Sequence, residues 1–135
     1  MDYLSDAFGR FDPQNDPCMA VKFSLNLILM DARLTELGNL LTDGNEVSEL
    51  EGEPGWIIER RDTGPAGERP WFADWLPGKN FRVEVDPRSF SLEYPTQFLT
   101  KDEFHDYVKK AMVAYVKHNP LILSKLPATL SKFVA

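Results

Sequence analysis

The chain has 135 residues, of which 43% are hydrophobic, and its formal net charge is −6. This length corresponds to one domain with enough apolar material for a core, and no run of eighteen apolar residues is present that could cross a membrane. A single cysteine, Cys18, excludes an internal disulfide, and the acidic N-terminus lacks the apolar stretch of a signal peptide, so the sequence indicates a cytoplasmic protein.

Charge is unevenly distributed along the chain. Residues 1–96 carry 18 acidic and nine basic side chains, whereas residues 97–135 carry three acidic and six basic ones. An acidic body repels nucleic acid phosphates and anionic membranes, and it attracts cationic partners. The alternative is that the excess charge only keeps the protein soluble.

The first third of the chain predicts an irregular segment, a strand and a helix. Residues 1–17 are polar and contain two prolines, so we expect no regular structure there. From Met19 to Leu29 every second residue is apolar, while Lys22, Ser24 and Asn26 alternate with them; this period predicts a long strand over Met19–Met30. Four leucines spaced three or four apart then predict a helix over Ala32–Thr42.

The middle of the chain predicts two short strands and two loops. Glu46–Leu50 and Trp56–Arg61 have strand character, with a turn over Glu51–Gly55 between them. Glycine and proline mark Asp62–Pro70 as a loop.

A helical turn is predicted between Pro70 and Pro77, because proline can open a helix but not continue one. Trp71 and Trp75 lie four residues apart and share a side of this turn. They either cap an open edge of the core or form an exposed aromatic anchor for a partner.

The segment FRVEVDPRSFSLEYP predicts a β-hairpin. Apolar residues alternate in Phe81–Val85 and again in Phe90–Tyr94, and the link Asp86–Ser89 has the aspartate and proline of a type I turn. In this hairpin Arg82 would face Glu93 across the strands.

A long helix follows, from Thr100 to Asn119. Thr100 and Glu103 have the spacing of a capping box, and Pro120 ends the helix. Residues 121–135 are apolar and would form a short second helix or clasp on the body. The whole chain is thus predicted to be a single α+β domain, residues 1–135. Its mainly antiparallel sheet of four to five strands packs against this long helix and a shorter helix nearer the N-terminus.

No catalytic constellation is visible. His105 and His118 are thirteen residues apart on one helix and point in different directions, so they cannot share a metal. The chain contains no nucleophile elbow, phosphate-binding glycine loop or EF-hand pattern. We therefore expect a protein without catalytic residues, metal or cofactor that acts by binding, although an enzyme with a dispersed site stays open.

The candidate binding residues come from an acidic stretch and from the tryptophans. TDGNEVSELEGEPGW, residues 42–56, contains five carboxylates and no cation. The candidate partner contacts are Asp43, Glu46, Glu49, Glu51, Glu53, Trp56, Trp71 and Trp75.

The strand residues ending in Tyr94-Pro95, the motif FLTKDEF and the Tyr-bearing helix ending in His118-Asn119-Pro120 give the chain a family resemblance. The chain resembles the immunity proteins of bacterial polymorphic toxin systems of the contact-dependent growth inhibition type. The resemblance implies that the protein neutralises a cognate toxin C-terminal domain, a basic nuclease, and binds neither nucleic acid nor membrane. Its carboxylates would take the place of phosphates in the toxin's active site. The alternative is an accessory or scaffold protein that binds through Trp71, Trp75 and the apolar tail.

Overall fold

The computed structural model describes residues 2–9, 11–43, 47–53, 55–61 and 75–134. The predicted α+β class is confirmed, because one antiparallel sheet of four strands is combined with helices. Of the helices in the described residues, none has the length and apolar character needed to span a lipid bilayer. The elements are α1 Leu4–Phe8, α2 Met19–Met30, α3 Leu34–Leu40, β1 Val47–Gly52, β2 Trp56–Arg61, β3 Phe81–Val85, β4 Thr96–Leu99, α4 Lys101–His118, a 3₁₀ helix Pro120–Lys125 and α5 Ala128–Ser131.

The sheet has the order β1-β2-β3-β4, and every neighbouring pair is antiparallel. Burial alternates along the strands, so Leu50, Ile58 and Val83 face the core while the residues between them face outward. Helix α4 joins the inner face of the sheet through Phe104, whose ring stacks on Phe81 at a centroid distance of 4.1 Å. The inner face of the sheet is therefore apolar, and its outer face carries most of the charged strand residues.

The predicted strand over Met19–Met30 is wrong, because this segment is helix α2. Ser24 and Asn26, which created the apparent alternation, are both buried. The Oδ1 atom of Asn26 accepts a hydrogen bond from the Tyr3 N–H at 2.7 Å. A helix that is buried on most sides has no polar stripe, and its sequence therefore does not display the 3.6-residue period.

The N-terminal segment is also more regular than predicted, since α1 forms within residues 1–17. Asp2 supports its start by accepting a hydrogen bond from the Leu4 N–H at 2.7 Å. The segment is held against the end of α4, where Asn119 Nδ2 donates to the Tyr3 hydroxyl at 2.9 Å and His118 pairs with Asp6. These partners lie more than a hundred residues away, so local sequence does not reveal the helix.

The predicted hairpin over Phe81–Tyr94 is wrong in its second strand. Strand β3 pairs with β4, which begins only at Thr96. The predicted turn does form, since the Ser89 N–H donates to the Asp86 carbonyl at 2.9 Å. Phe90 then packs on Phe23 of α2 at 4.2 Å between ring centroids, and residues 86–95 form a loop.

From Thr100 onward, and in β1 and β2, the structure follows the prediction closely. The capping box is present, because Thr100 Oγ1 accepts from the Glu103 N–H at 3.1 Å and Glu103 Oε1 accepts from the Thr100 N–H at 2.8 Å. The predicted second helix in the tail appears as the 3₁₀ helix and α5. Strand β2 has the predicted bounds, and β1 reaches Gly52, two residues into the predicted turn. The predicted loop Asp62–Pro70 lies outside the described residues.

Candidate functional site

Asp43 is not an uncompensated carboxylate. Its Oδ1 accepts hydrogen bonds from Arg60 Nη2 at 2.6 Å and from Lys101 Nζ at 3.0 Å. Arg60 is only 5% exposed and also donates to the carbonyl oxygens of Leu40 and Thr42. The hydrogen bond from Arg60, followed by that from Lys101, lowers the pKa of Asp43 to about 2. Asp43 therefore links the end of α3 to β2 and α4, and its negative charge is balanced by Arg60 and Lys101 of the same protein.

We expect Asp43→Asn to lower the free energy of unfolding by about 1 kcal/mol at pH 7, a value that allows for solvent screening of a carboxylate that is 69% exposed. Because the folded pKa of Asp43 lies below its ordinary value of 3.8, this stability is complete above about pH 4 and is lost as the pH falls toward 2. Urea denaturation of both proteins between pH 2 and pH 7 measures the difference. Asp31→Asn, at an exposed position, is the matched control. A difference that stays constant with pH would contradict the ion pair.

Glu49 and Glu51 lie on the outer face of the sheet, and both side chains are exposed. Within the described residues neither carboxylate has an ion-pair partner. Across the strands Glu49 lies opposite Glu59 of β2, and Glu59 is held by Arg82 of β3 at 2.6 Å. Like charges opposite each other destabilise a sheet, and Arg82 offsets only one of the two. The excess negative charge on β1 is thus free to meet a cation from outside.

A groove of about 610 Å³ adjoins these carboxylates. It lies between the turn that joins β1 to β2 and the turn that follows β3, and it is lined by Glu51, Glu53, Glu84 and Asp86. Arg88 also lines the groove, but its guanidinium is paired with Asp86 at 3.2 Å. The arrangement can accept a cationic side chain or loop from a partner.

Gly55 allows the two turns to approach each other. The Asp86 N–H donates to the Gly55 carbonyl at 2.7 Å, and the φ angle of Gly55 is 127°, which L side chains rarely adopt. A Cβ atom at this position would lie 2.9 Å from Ser89 Oγ and 3.0 Å from Asp86 Cβ. The groove therefore depends on glycine at residue 55.

The structure brings together only part of the predicted acidic site. Glu51 and Glu53 line the groove and Glu49 lies beside it on β1, whereas Asp43 is engaged elsewhere and Glu46 lies outside the described residues. Glu84 and Asp86 also line the groove and were not among the predicted contacts. Glu84 reaches the groove because it lies opposite Ile57 in the pairing of β2 with β3, and Asp86 follows at the end of β3. Prediction of this strand pairing would have identified both residues.

Trp56 and Trp75 are both buried. Trp56 and Trp75 are 3% and 5% exposed, so neither ring is available as an exposed anchor. Trp75 Nε1 donates to the Lys79 carbonyl at 2.6 Å, and its ring packs edge-on against Phe98 at 5.5 Å. Trp75 therefore covers Phe98 and Arg82, which point outward from the sheet. Trp71 lies outside the described residues.

The two histidines and the cysteine are engaged in packing or pairing contacts within the fold. His118 pairs with Asp6, and the ring of His105 lies edge-on to Phe133 at 5.5 Å, where burial lowers the pKa of His105. Cys18 is half-buried at the start of α2. Across the part of the chain that the structure describes, no three or more His, Cys, Asp or Glu side chains are grouped to hold a metal ion.

A second surface is apolar and lies at the other end of the chain. Leu121 and Leu123 of the 3₁₀ helix are 88% and 52% exposed. Beside them Tyr115, His118 and Ile122 line a cavity of about 430 Å³. This surface, unlike the acidic groove, would bind a partner by burying apolar area.

Comparison with protein-family models, with curated proteins and with solved structures gave no match to the chain.

Proposed function

We propose that the protein is a non-catalytic immunity protein whose acidic face binds a cationic cleft of a cognate toxin domain. The observation that carries the proposal is the group of carboxylates Glu49, Glu51, Glu53 and Glu84. They lie on one face of the sheet and along its groove, and no ion-pair partner holds them within the described residues. The toxin domain would be a nuclease, because an active site that holds phosphates must be positively charged.

The rigidity of the acidic face supports this role. Glu51 and Glu84 extend from paired strands, and Glu53 follows β1 in a turn where the Glu53 carbonyl accepts from Trp56 Nε1 at 3.2 Å. The backbone that carries these carboxylates is thus already ordered, and binding of a cation restricts only their side chains. Their combined field also accelerates the encounter of the two proteins, and salt weakens that acceleration.

The proposal predicts that a gene for the toxin domain lies beside the gene for this chain, and the test uses the domain that such a gene encodes. We expect the triple variant Glu49→Gln, Glu51→Gln, Glu53→Gln to associate with that domain at least about tenfold more slowly at low salt. We also expect it to protect nucleic acid from cleavage less well. Association and dissociation rates at two salt concentrations, with a nuclease assay at equal protein concentrations, measure both effects.

A control variant with the same change in net charge is available outside the sheet. Asp31, Glu93 and Asp102 are exposed side chains that lie beyond the strands, and their neutralisation should leave the association rate close to that of the wild type. If both triple variants slow association equally, overall charge and not the acidic face drives binding. If the wild type does not bind the toxin domain, the proposed function is wrong.

The exposed leucines favour a second candidate function, that of an accessory protein with an apolar contact surface. Binding through Leu121 and Leu123 would be insensitive to salt, because burial of apolar surface has no Coulombic term. Loss of partner binding in Leu121→Ser, with the four glutamates of the acidic face unchanged, would favour this function over the immunity role.

A further inference from the structure

Strand β1 lies at an edge of the sheet, and its backbone hydrogen bonds can be assigned from those of β2. The Arg61 N–H donates to the Asn80 carbonyl at 2.8 Å, so the odd-numbered residues of β2 direct their backbone groups toward β3. The backbone N–H and C=O groups of the even-numbered residues of β2 therefore point toward β1. Since Leu50 lies opposite Ile58 in the register, Leu50 and the residues two positions away on either side bond to β2.

It follows that Val47, Glu49 and Glu51 direct their backbone N–H and C=O groups away from the sheet. The Glu51 carbonyl is occupied, because Arg33 Nη1 donates to it at 2.8 Å. Within the described residues no group bonds to the outward N–H or C=O of Glu49. The free edge of β1 is thus centred on Glu49 and is bounded by Arg33 at its Gly52 end.

Edge strands with free backbone groups are templates for pairing with another chain. Strand β4, at the opposite edge, has four residues, whereas β1 has six and so offers a span of about 20 Å. A short strand protects an edge by offering few groups. Of the two edges, β1 is therefore the one suited to accept a further strand.

The charge on β1 indicates which strand it would accept. A second copy of this chain paired antiparallel on β1 would bring Glu49 and Glu51 close to the same carboxylates of the first copy, and like charges in such positions destabilise a sheet. An extended segment with lysine or arginine at alternate positions would instead place its cations on the same outer face as Glu49, Glu51 and Glu59.

We propose that β1 binds an extended, cationic segment of the partner as a fifth strand of the sheet. The inference rests on the proposed function, because it describes how the acidic face would bind its cationic partner. Backbone hydrogen bonds at Glu49 would provide affinity, and the carboxylates on either side would select alternating cations.

A pair of peptides tests the strand pairing on the unmodified protein. The first is a synthetic hexapeptide of alternating lysine and threonine, and the second has the same sequence with N-methyl groups on alternate amides. We expect the N-methylated peptide to bind at least about tenfold more weakly in calorimetry, because it has lost donors to β1 while keeping its charge. We also expect the first peptide to slow hydrogen exchange of the Glu49 amide. Equal binding of the two peptides, or no binding of either, would overturn the proposal.

Two substitutions at one position separate backbone pairing from charge. Glu49→Gln removes only the carboxylate, whereas Glu49→Pro also removes the outward N–H and leaves the bonds of Leu50 to β2 in place, as is tolerated on edge strands. We expect Glu49→Pro to bind the toxin domain about tenfold more weakly than Glu49→Gln, with urea denaturation verifying its fold. If the two variants bind equally but more weakly than the wild type, strand pairing is wrong and the proposed function stands. If the wild type fails to bind the toxin domain, the proposed function itself is wrong.

Discussion

Phe104→Ala should lower the free energy of unfolding by about 3–5 kcal/mol. Phe104 is fully buried, and its ring is stacked on Phe81 with an interplanar angle of 18°. The two rings join α4 to the middle of the sheet, so removal of one leaves a cavity between the two largest parts of the fold. The surrounding structure cannot collapse into that cavity without moving the helix, because Val108 and Met112 on the same side of α4 are also fully buried.

Chemical denaturation monitored by circular dichroism measures this loss. Val113→Ala is the matched control, since Val113 is half exposed on the same helix and its truncation should change stability by less than about 0.5 kcal/mol. A loss below about 1 kcal/mol for Phe104→Ala would mean that α4 does not pack on the sheet through this ring.

Asn26→Ala should lower the free energy of unfolding by about 2 kcal/mol. The Asn26 side chain is 4% exposed, and its Oδ1 is the acceptor for the buried Tyr3 N–H. Alanine leaves that donor without a partner in a place that water does not reach, and an unsatisfied buried donor costs more than a hydrogen bond contributes. Tyr3 would then lose one of the bonds that hold the N-terminal segment to the body.

This substitution also distinguishes helix from strand. In a strand over Met19–Met30, Asn26 would lie on the solvent face, where truncation to alanine costs less than about 0.5 kcal/mol. Asn15→Ala serves as the control, because Asn15 is exposed and, among the described residues, hydrogen-bonds only to Asp12. If Asn26→Ala is as stable as this control, the helical assignment of α2 is contradicted.

The parts of the fold that the sequence predicts well have local causes. The capping box of α4 involves residues three apart, and Pro120 ends that helix by its own geometry. The alternation in β2 reports a strand with one buried face. Each of these signals is contained within a few residues, so it could be read without knowledge of the rest of the chain.

The failures have a common cause in contacts between distant residues. Helix α2 is buried on most sides by elements that lie on both sides of it in the chain, and this burial removes the polar stripe that would identify it. The turn at Asp86–Ser89 forms as predicted, but Phe90 packs on Phe23 instead of entering a strand. Turn chemistry predicts the turn and does not determine where the chain goes after it.

The candidate site likewise contains some residues that local sequence predicts and others that depend on distant contacts. The exposed positions of Glu49 and Glu51 follow from the strand alternation around Leu50, which can be read locally. The ion pairs of Asp43 could not be predicted, because Arg60 and Lys101 are 17 and 58 residues away. The same applies to Asp86, which reaches the groove only through the pairing of β2 with β3.

The order β1-β2-β3-β4 has a consequence for the folding of the chain. Every strand pairs with its neighbour in sequence, and the longest connection between paired strands is residues 62–80. Because the entropy cost of closing a loop rises only slowly with its length, the sheet forms at a moderate cost in chain entropy. Helix α1, in contrast, contacts α4 across a separation of 112 residues between Asp6 and His118. During synthesis α1 leaves the ribosome before α4, yet its docking site is completed only after α4 has emerged. Helix α1 therefore reaches its native position only after α4 is in place.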